Sequence, residues 1–510
     1  MPLFYFYLLS FPLIWLGFRF VRGAAPGQAR LWLAVASMLF LALADFRSFC
    51  ILLAVTGLNY QIIRRMPRSA GPALAMRALG LGISLLPLVY CKWQAGDEGV
   101  FALLPLGLAF YALQQCTAIL DAPAMEGRAI SLKDYLFFSF FFASVMAGPI
   151  ICFRDMQAQL DANPAHAVSR EGLNQGVSLF VFGLAKAVLL AEPLGVTSDQ
   201  LLLAAEQGVS LTLTELGYVL WGKVLWFYFV FSAYSDMAIG MGLAFAIRLP
   251  INFNSPFKAT SAVDYIARWH MSFMAFARHY IFTPAFRVLR NNPLRDTHWR
   301  YLLGWAGALF LVYLFVGLWH VTGPQGVALS LGVACLLVLI ELGKQVPLFR
   351  QGNWPLPLRM LAAVTGRLLL LAIIGYCALA FTHPSLDLRQ LVMRSVAEGA
   401  TFSLSPRLEV FGRFLPSDGL SFSGFFPSLS TALIIPGWPP GFSALHILVC
   451  TAAVFLMPNT MQLFGLIDDA ASGVPRCRWR YGPAYAIALG GLLFLAVSLS
   501  SSGDLYVYNR

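Results

Sequence analysis

Tyr218-Val-Leu-Trp-Gly-Lys-Val-Leu-Trp-Phe-Tyr-Phe-Val-Phe-Ser-Ala-Tyr-Ser-Asp-Met-Ala-Ile-Gly-Met-Gly-Leu-Ala-Phe-Ala-Ile247 is the longest apolar run of the chain, and its reading decides the fold class. A helix that crosses hydrocarbon needs about 20 predominantly apolar residues. Within hydrocarbon the backbone must satisfy its own N–H and C=O groups, so a run of this length is a helix. Similar runs recur near Pro2–Phe18, Leu31–Ala44, Phe49–Ile62, Leu79–Tyr90, Phe101–Leu120 and Tyr135–Cys152. They continue at Val177–Leu190, Tyr301–Trp319, Gly326–Ile340, Leu361–Phe381, Phe442–Met457 and Tyr485–Leu499. The expectation is an all-α polytopic membrane protein that crosses a lipid bilayer about ten times or more, in a single membrane domain spanning residues 1–510. Residues 383–438, rich in Ser, Pro and Phe, form the long segment of mixed polarity and are expected outside the cytoplasm.

Composition agrees. Of the 510 residues 59% are hydrophobic and 12% charged, about half the charge of a soluble domain (~25%). The net charge of +11 does not signal a nucleic-acid partner, because the basic residues sit in short loops between apolar runs, as the positive-inside rule requires. Arg19–Arg30 and Arg64–Arg77 are two such loops, and Arg248–Arg300, with eight Lys or Arg against Asp264 and Asp296, is the densest. These face the cytoplasm. Arg19 and Arg22 follow the first apolar run rather than preceding it, which favours a retained helix with an extracytoplasmic N-terminus over a cleaved signal. The eight cysteines include no C-x-x-C pair, so neither a disulfide framework nor a zinc site is indicated.

Three polar residues are stranded in the apolar body. His320 ends the uncharged run Tyr301–Trp319, and Val321-Thr-Gly-Pro324 breaks the helix after it. An ionisable group at membrane depth is costly and suggests function, and imidazole suits proton transfer near neutrality. It could equally hydrogen-bond a neighbouring helix or sit at the interface. Asp236, inside the opening run, needs an Arg, a His or several donors as partner. It can orient a catalytic group or serve a structural pairing. His270 lies in Ala267-Arg-Trp-His270, where Trp269, Phe273, Phe276 and Tyr280 recur at helical spacing. That spacing predicts one amphipathic helix, interfacial or re-entrant. A lone His there is ordinarily a packing residue, but His270 and His320 each follow a Trp and each flank a break. No phosphate-binding loop, nucleophile elbow or H-E-x-x-H element is present, and no metal is expected.

Several ordered stretches resemble the membrane-bound O-acyltransferase superfamily, in its bacterial branch that contains alginate O-acetylation and teichoic-acid D-alanyl transfer proteins. They are Leu104-Pro-Leu-Gly-Leu-Ala-Phe-Tyr-Ala-Leu-Gln114, Ala147-Gly-Pro-Ile150, Phe231-Ser-Ala-Tyr-Ser-Asp-Met-Ala-Ile-Gly240, Leu249-Pro-Ile-Asn-Phe-Asn-Ser-Pro-Phe-Lys258, Arg268-Trp-His-Met-Ser272, Gly317-Leu-Trp-His320 and Met457-Pro-Asn-Thr460. The resemblance covers roughly residues 45–470. It implies a ring of tilted helices around a thinned centre, re-entrant helices, and a tunnel joining the two faces. It also implies that His320 is catalytic, that His270 faces the same tunnel, and that Asp236, Tyr234, Ser235, Arg268, Trp269, Trp319 and Asn252 support them. The implied reaction moves an acyl group, usually acetyl, from a cytoplasmic thioester such as acetyl-CoA to hydroxyls of an exported polysaccharide, with an extracytoplasmic partner protein and a place in the bacterial inner membrane.

With that context His320 is expected to act as general base and His270 to position the acyl group or hydrogen-bond the oxyanion. Where related proteins have Gly-Ala-Asn-Trp after the Trp-His pair, this chain has Val321-Thr-Gly-Pro-Gln-Gly326. Alginate, cellulose, another exopolysaccharide and a cell-wall polymer are therefore all admissible acceptors. A transporter or flippase, with His and Asp as a proton pathway, is the alternative; the absence of an internal repeat counts mildly against it.

Overall fold

The computed structural model describes residues 3–67, 69–95, 105–125, 130–163, 167–291, 297–320, 324–345, 442–467 and 482–499, with short pieces at 355, 357–358, 364–366 and 370–375. The segment 383–438 lies outside the described residues. Among those described, every regular element is helical. Seven helices among the described residues are long and apolar enough to cross a membrane: Pro26–Ala44, Phe46–Arg64, Gly71–Gln94, Arg170–Glu206, Leu213–Ala244, His298–His320 and Gly326–Gly343.

In chain order the helices are α1 (Leu3–Ala24), α2 (Ala29–Ala44), α3 (Phe46–Arg64), α4 (Ala70–Ala95), α5 (Leu108–Asp121), α6 (Leu132–Phe140), α7 (Phe142–Val145), α8 (Phe153–Ala162) and α9 (Arg170–Ala185). A π-helical turn, Lys186–Ala191, joins α9 to α10 (Glu192–Glu206). Then come α11 (Leu213–Ala244), α12 (Ala262–Arg268), α13 (Met271–Ala277), α14 (Thr283–Leu289), α15 (Thr297–His320), α16 (Pro324–Gln345), α17 (Phe442–Leu456), α18 (Thr460–Leu463) and α19 (Pro483–Leu499).

The opening run becomes α11, started by a reciprocal capping box between Thr212 and Glu215. It packs most extensively on α9. Small residues make that seam: a Cβ on Gly176 would stand 2.5 Å from the Gly240 carbonyl oxygen, and one on Gly183 would stand 2.7 Å from that of Ala233. Close backbone approach through small residues is how helices associate where lipid supplies no hydrophobic driving force. The register is antiparallel, since Gly176 meets Gly240 and Gly183 meets Ala233.

A second set of contacts ties α3, α4, α5 and α6. Asn59 donates to Ser84 at 2.9 Å, Gln115 donates to Ser139 at 2.9 Å, and the Tyr135 hydroxyl donates to Gln115 Oε1 at 2.5 Å. Thr56 and Tyr111 pair through their hydroxyls at 2.6 Å. Tyr111 and Gln115, four residues apart, therefore look towards α3 and α6.

Two expectations fail locally. Tyr135–Cys152 is not one span: α6 and α7 are separated at Phe141 (φ −49°, ψ 110°) and the chain after Val145 leaves the helix. Gly148-Pro149 stops it, because proline disfavours helical backbone in the residue before it. The amphipathic helix expected through Trp269, Phe273, Phe276 and Tyr280 is also divided. α12 ends at Arg268, His270 takes left-handed backbone (φ 47°, ψ 51°), and α13 starts afresh at Met271.

Candidate active site at the Trp-His breaks

The break at Trp269-His270 separates the two residues' environments. Trp269 stacks on Phe227 and Tyr265 (ring centroids 5.9 and 5.6 Å) and meets Phe253 edge-on at 5.1 Å. Phe273 and Phe276 instead stack on Phe315 of α15, at 6.1 and 6.0 Å. The apparent stripe is thus two packing surfaces, and the turn between them delivers the His270 ring to the interior, 3% exposed. A non-glycine residue at positive φ is uncommon and costs about 1 kcal/mol or more. Three occur among the described residues, Ala246, Ser255 and His270, and all lie in the 246–270 connection.

Asn252 holds the turn. Its backbone carbonyl accepts the Met271 N–H at 2.9 Å. Its side-chain Oδ1 accepts the Ser272 hydroxyl at 2.6 Å and lies 3.4 Å from His270 Nδ1. Its Nδ2 donates to the Ser235 hydroxyl of α11 at 2.9 Å. Ser272 Oγ in turn accepts the Ile150 N–H at 3.0 Å. Because Oδ1 takes the Ser272 hydroxyl, the neutral His270 ring meets it through Nδ1–H, and Nε2 is left as an acceptor. Nε2 is buried with no protein partner. In that tautomer the neutral ring does not donate from Nε2.

His320 ends α15 half-buried, with Trp319 buried beside it. The Trp319 indole N–H donates to the Ala109 carbonyl at 3.3 Å and the ring meets Phe110 edge-on at 5.6 Å. Both imidazoles flank Phe273, His270 at 5.1 Å and His320 at 5.9 Å between ring centroids. Trp319 lies between them, 6.3 Å from His270 and 4.5 Å from His320. The structure therefore brings together two histidines that stand fifty residues apart. The end of α15 has a further partner: Lys92, in the last turn of α4, donates to the Leu318 carbonyl at 3.3 Å and to that of Trp319. An ammonium there satisfies carbonyls that the helix end leaves unpaired.

Asp236 has a lysine as its charged partner, not an arginine or histidine. Lys186 Nζ lies 2.5 Å from Oδ2, the Thr460 hydroxyl donates to the same oxygen at 2.5 Å, and Lys186 also donates to Thr460 at 3.2 Å. The glycine seam explains the meeting. Side chains on a helix lean towards its N-terminus, so Lys186 leans back towards Gly183, and Asp236 leans towards Ala233 on the facing antiparallel helix. These residues and Ser235, Asn252 and Asn459 line one small cleft. Thr460 follows Asn459, whose side chain caps α18. Tyr234 is buried within α11. Arg268 does not reach the histidines: it donates to Asp264 at 2.7 Å and to the Asn254 carbonyl at 3.3 Å.

Sequence reading missed Lys92, Lys186 and Ser272. Lys186 carried one available signal, since it is a charge inside an apolar run, as Asp236 is. Lys92 and Ser272 carried none that distinguished them.

Among the described residues the chain is a many-spanning helical body, and similarity to known proteins gives its family. The sequence profile of the membrane-bound O-acyltransferase family matches residues 106–379, more than half of the chain. The chain belongs to that family. It is 29% identical over 363 residues to the peptidoglycan O-acetyltransferase of Helicobacter pylori (strain ATCC 700392 / 26695), which is 63% of this chain and 66% of that protein. It is 31% identical over 339 residues to a Pseudomonas putida protein described as probable alginate O-acetylase AlgI, covering 62% and 68%. Over 234 residues it is 24% identical to the teichoic acid D-alanyltransferase of Bacillus subtilis (strain 168), covering 46% and 58%. The match to the Helicobacter protein thus stops just short of two thirds of that relative's length.

Proposed function

We propose that this protein moves an acetyl group from a cytoplasmic thioester, acetyl-CoA being the simplest, to hydroxyls of an exported polysaccharide, with His320 as general base. The observation that carries the reading is the placement of two imidazoles from separate parts of the chain against the Phe273 ring, one of them in strained backbone. Strained backbone held by surrounding bonds is characteristic of functional sites. The acetyl group is favoured over other acyl groups because relatives matched over more than 60% of the chain are described as O-acetyltransferases or O-acetylases.

In the proposed step the acceptor hydroxyl oxygen attacks the thioester carbonyl carbon while His320 takes the hydroxyl proton. The tetrahedral intermediate collapses, the C–S bond breaks, and the departing sulfur takes the proton back from the imidazolium. The products are an ester and a free thiol. His270, with its Nε2 lone pair turned to the interior, positions the reacting groups. Asn252, with Ser272 and Ser235, holds the turn that carries it, and Asp236 pairs with Lys186 and Thr460 in the cleft that Asn252 also lines.

The donor approaches from the side of the basic Arg248–Arg300 stretch in the inner membrane, with the N-terminus on the opposite face. An extracytoplasmic polysaccharide-modifying partner takes the group onward. The test is ester-linked acetate on secreted and cell-wall polymers from cells carrying the wild-type protein or a normally inserted His320→Ala variant. The variant should abolish polymer acetylation while polymer export continues. Persisting acetylation would remove His320 from the mechanism, and failed export would favour transport over acyl transfer.

A further inference from the structure

Gln114 of α5 is fully buried, and neither its amide nitrogen nor its amide oxygen has a protein partner. Buried side-chain amides are almost always paired, and an unpaired one calls for water, ligand or function. Its neighbour Gln115 shows the ordinary outcome, fully bonded to Ser139, Tyr135 and Asn59. The two differ by the 100° step of the helix. Gln115 shares its face with Tyr111 and looks to α3 and α6. Gln114 shares its face with Phe110, four residues earlier, and Phe110 meets the His270 ring at 6.2 Å, Trp319 at 5.6 Å and Phe231 at 6.3 Å. Gln114 therefore lies on the face of α5 whose Phe110 ring meets His270 and Trp319. The Nε2 of His270 is likewise buried without a protein partner.

The two orphans are chemically complementary. The neutral His270 ring offers only an acceptor, since its Nδ1–H is directed to Asn252. Gln114 offers an NH2 donor, which the acyl carbonyl needs and His270 lacks. Resting on the acyl-transfer reading above, we propose that Gln114 is a substrate-contacting residue whose amide N–H donates to the carbonyl oxygen of the thioester and keeps that bond as the oxygen becomes anionic. Donors aimed at a developing oxyanion each contribute about 100-fold or more to turnover.

The experiment compares binding of acetyl-CoA and of its thioether analogue S-ethyl-CoA, which lacks the carbonyl oxygen, to the purified full-length protein in nanodiscs. Wild type should bind acetyl-CoA about tenfold more tightly, the worth of one hydrogen bond. Gln114→Leu, which removes the donor, should bind the two equally. Thermal unfolding supplies the control. Replacing an unpaired buried amide by an apolar group of similar size is neutral or stabilising, so Gln114→Leu should melt at or above the wild-type temperature. A Gln114→Leu protein that melts well below wild type, or that keeps the preference for acetyl-CoA, would overturn the assignment. If wild type binds acetyl-CoA without preferring it to the thioether, Gln114 alone loses its role. If wild type binds neither compound, the thioester-donor reading fails and takes this inference with it.

Discussion

Asn252 and His270 are joined by a side-chain contact of 3.4 Å where the chain takes left-handed backbone between two short helices, α12 and α13. The same amide oxygen takes the Ser272 hydroxyl, and the same amide nitrogen reaches Ser235 of α11. One buried side chain thus fixes the tautomer of the histidine, the shape of the turn and its distance from the long central helix.

Asn252→Ala leaves the Ser272 hydroxyl, the Ser235 hydroxyl and His270 Nδ1 each short of a partner. Unpaired buried groups cost about 1–3 kcal/mol each, and a shifted imidazole can lower turnover by up to about 100-fold. Acetyl transfer by a normally inserted variant should fall accordingly. Activity within about threefold of wild type would show that Asn252 only fills space.

His270 carries a backbone role and a side-chain role, and these separate. Glycine adopts positive φ without penalty, whereas alanine pays about 1 kcal/mol there. His270→Gly should therefore unfold at a higher temperature than His270→Ala, while both lack acetyl transfer to the same degree. Equal stability of the two would mean the turn relaxes once the ring is gone.

Removing one partner of the Lys186–Asp236 pair strands the other in the interior. Such a change costs about 3–5 kcal/mol, whereas apolar replacement of both is often close to neutral. Asp236→Leu and Lys186→Met should each lower the melting temperature markedly, and the double variant should recover most of it. Additive losses would contradict the pairing.

Arg268 and Asp264 form a half-exposed pair four residues apart on α12. Partial burial pushes the Asp264 carboxyl up, but hydrogen bonds from Arg268 and Thr260 outweigh it and hold the group below the ordinary carboxylate range. A carboxyl depressed in the folded state adds stability above its unfolded pKa and loses it as pH falls through the folded value. For an exposed pair the gain is about 0.3–0.5 kcal/mol. The stability difference between wild type and Arg268→Met should therefore be present at neutral pH and shrink below about pH 4, as read by melting temperature across an acid series.

Much of the fold was legible in the sequence because its causes are local or compositional. An apolar run as long as Tyr218–Ile247 has no alternative to a helix in lipid. The Trp-His pair ahead of Val321-Thr-Gly-Pro324 marks His320 as a candidate, since an ionisable group at a helix break inside an apolar body is expensive to keep.

Other features depended on contacts between distant segments. The helix through His270 looked continuous because its side chains recur at helical spacing; the break exists because Asn252 captures Met271 and Ser272 from outside that stretch. Asp236 announced that it needed a partner, but the choice of Lys186 follows from a glycine seam that sets the register of two helices. Gln114 and Gln115 are indistinguishable as letters, and a single 100° step decides which joins the polar network and which is left without a protein partner. The sequence by itself determined the long apolar helices and their membrane setting, and marked the two histidines as candidates. Tertiary structure decided which faces meet, because helix register and rotation are fixed by backbone contact across the seam rather than by any residue alone.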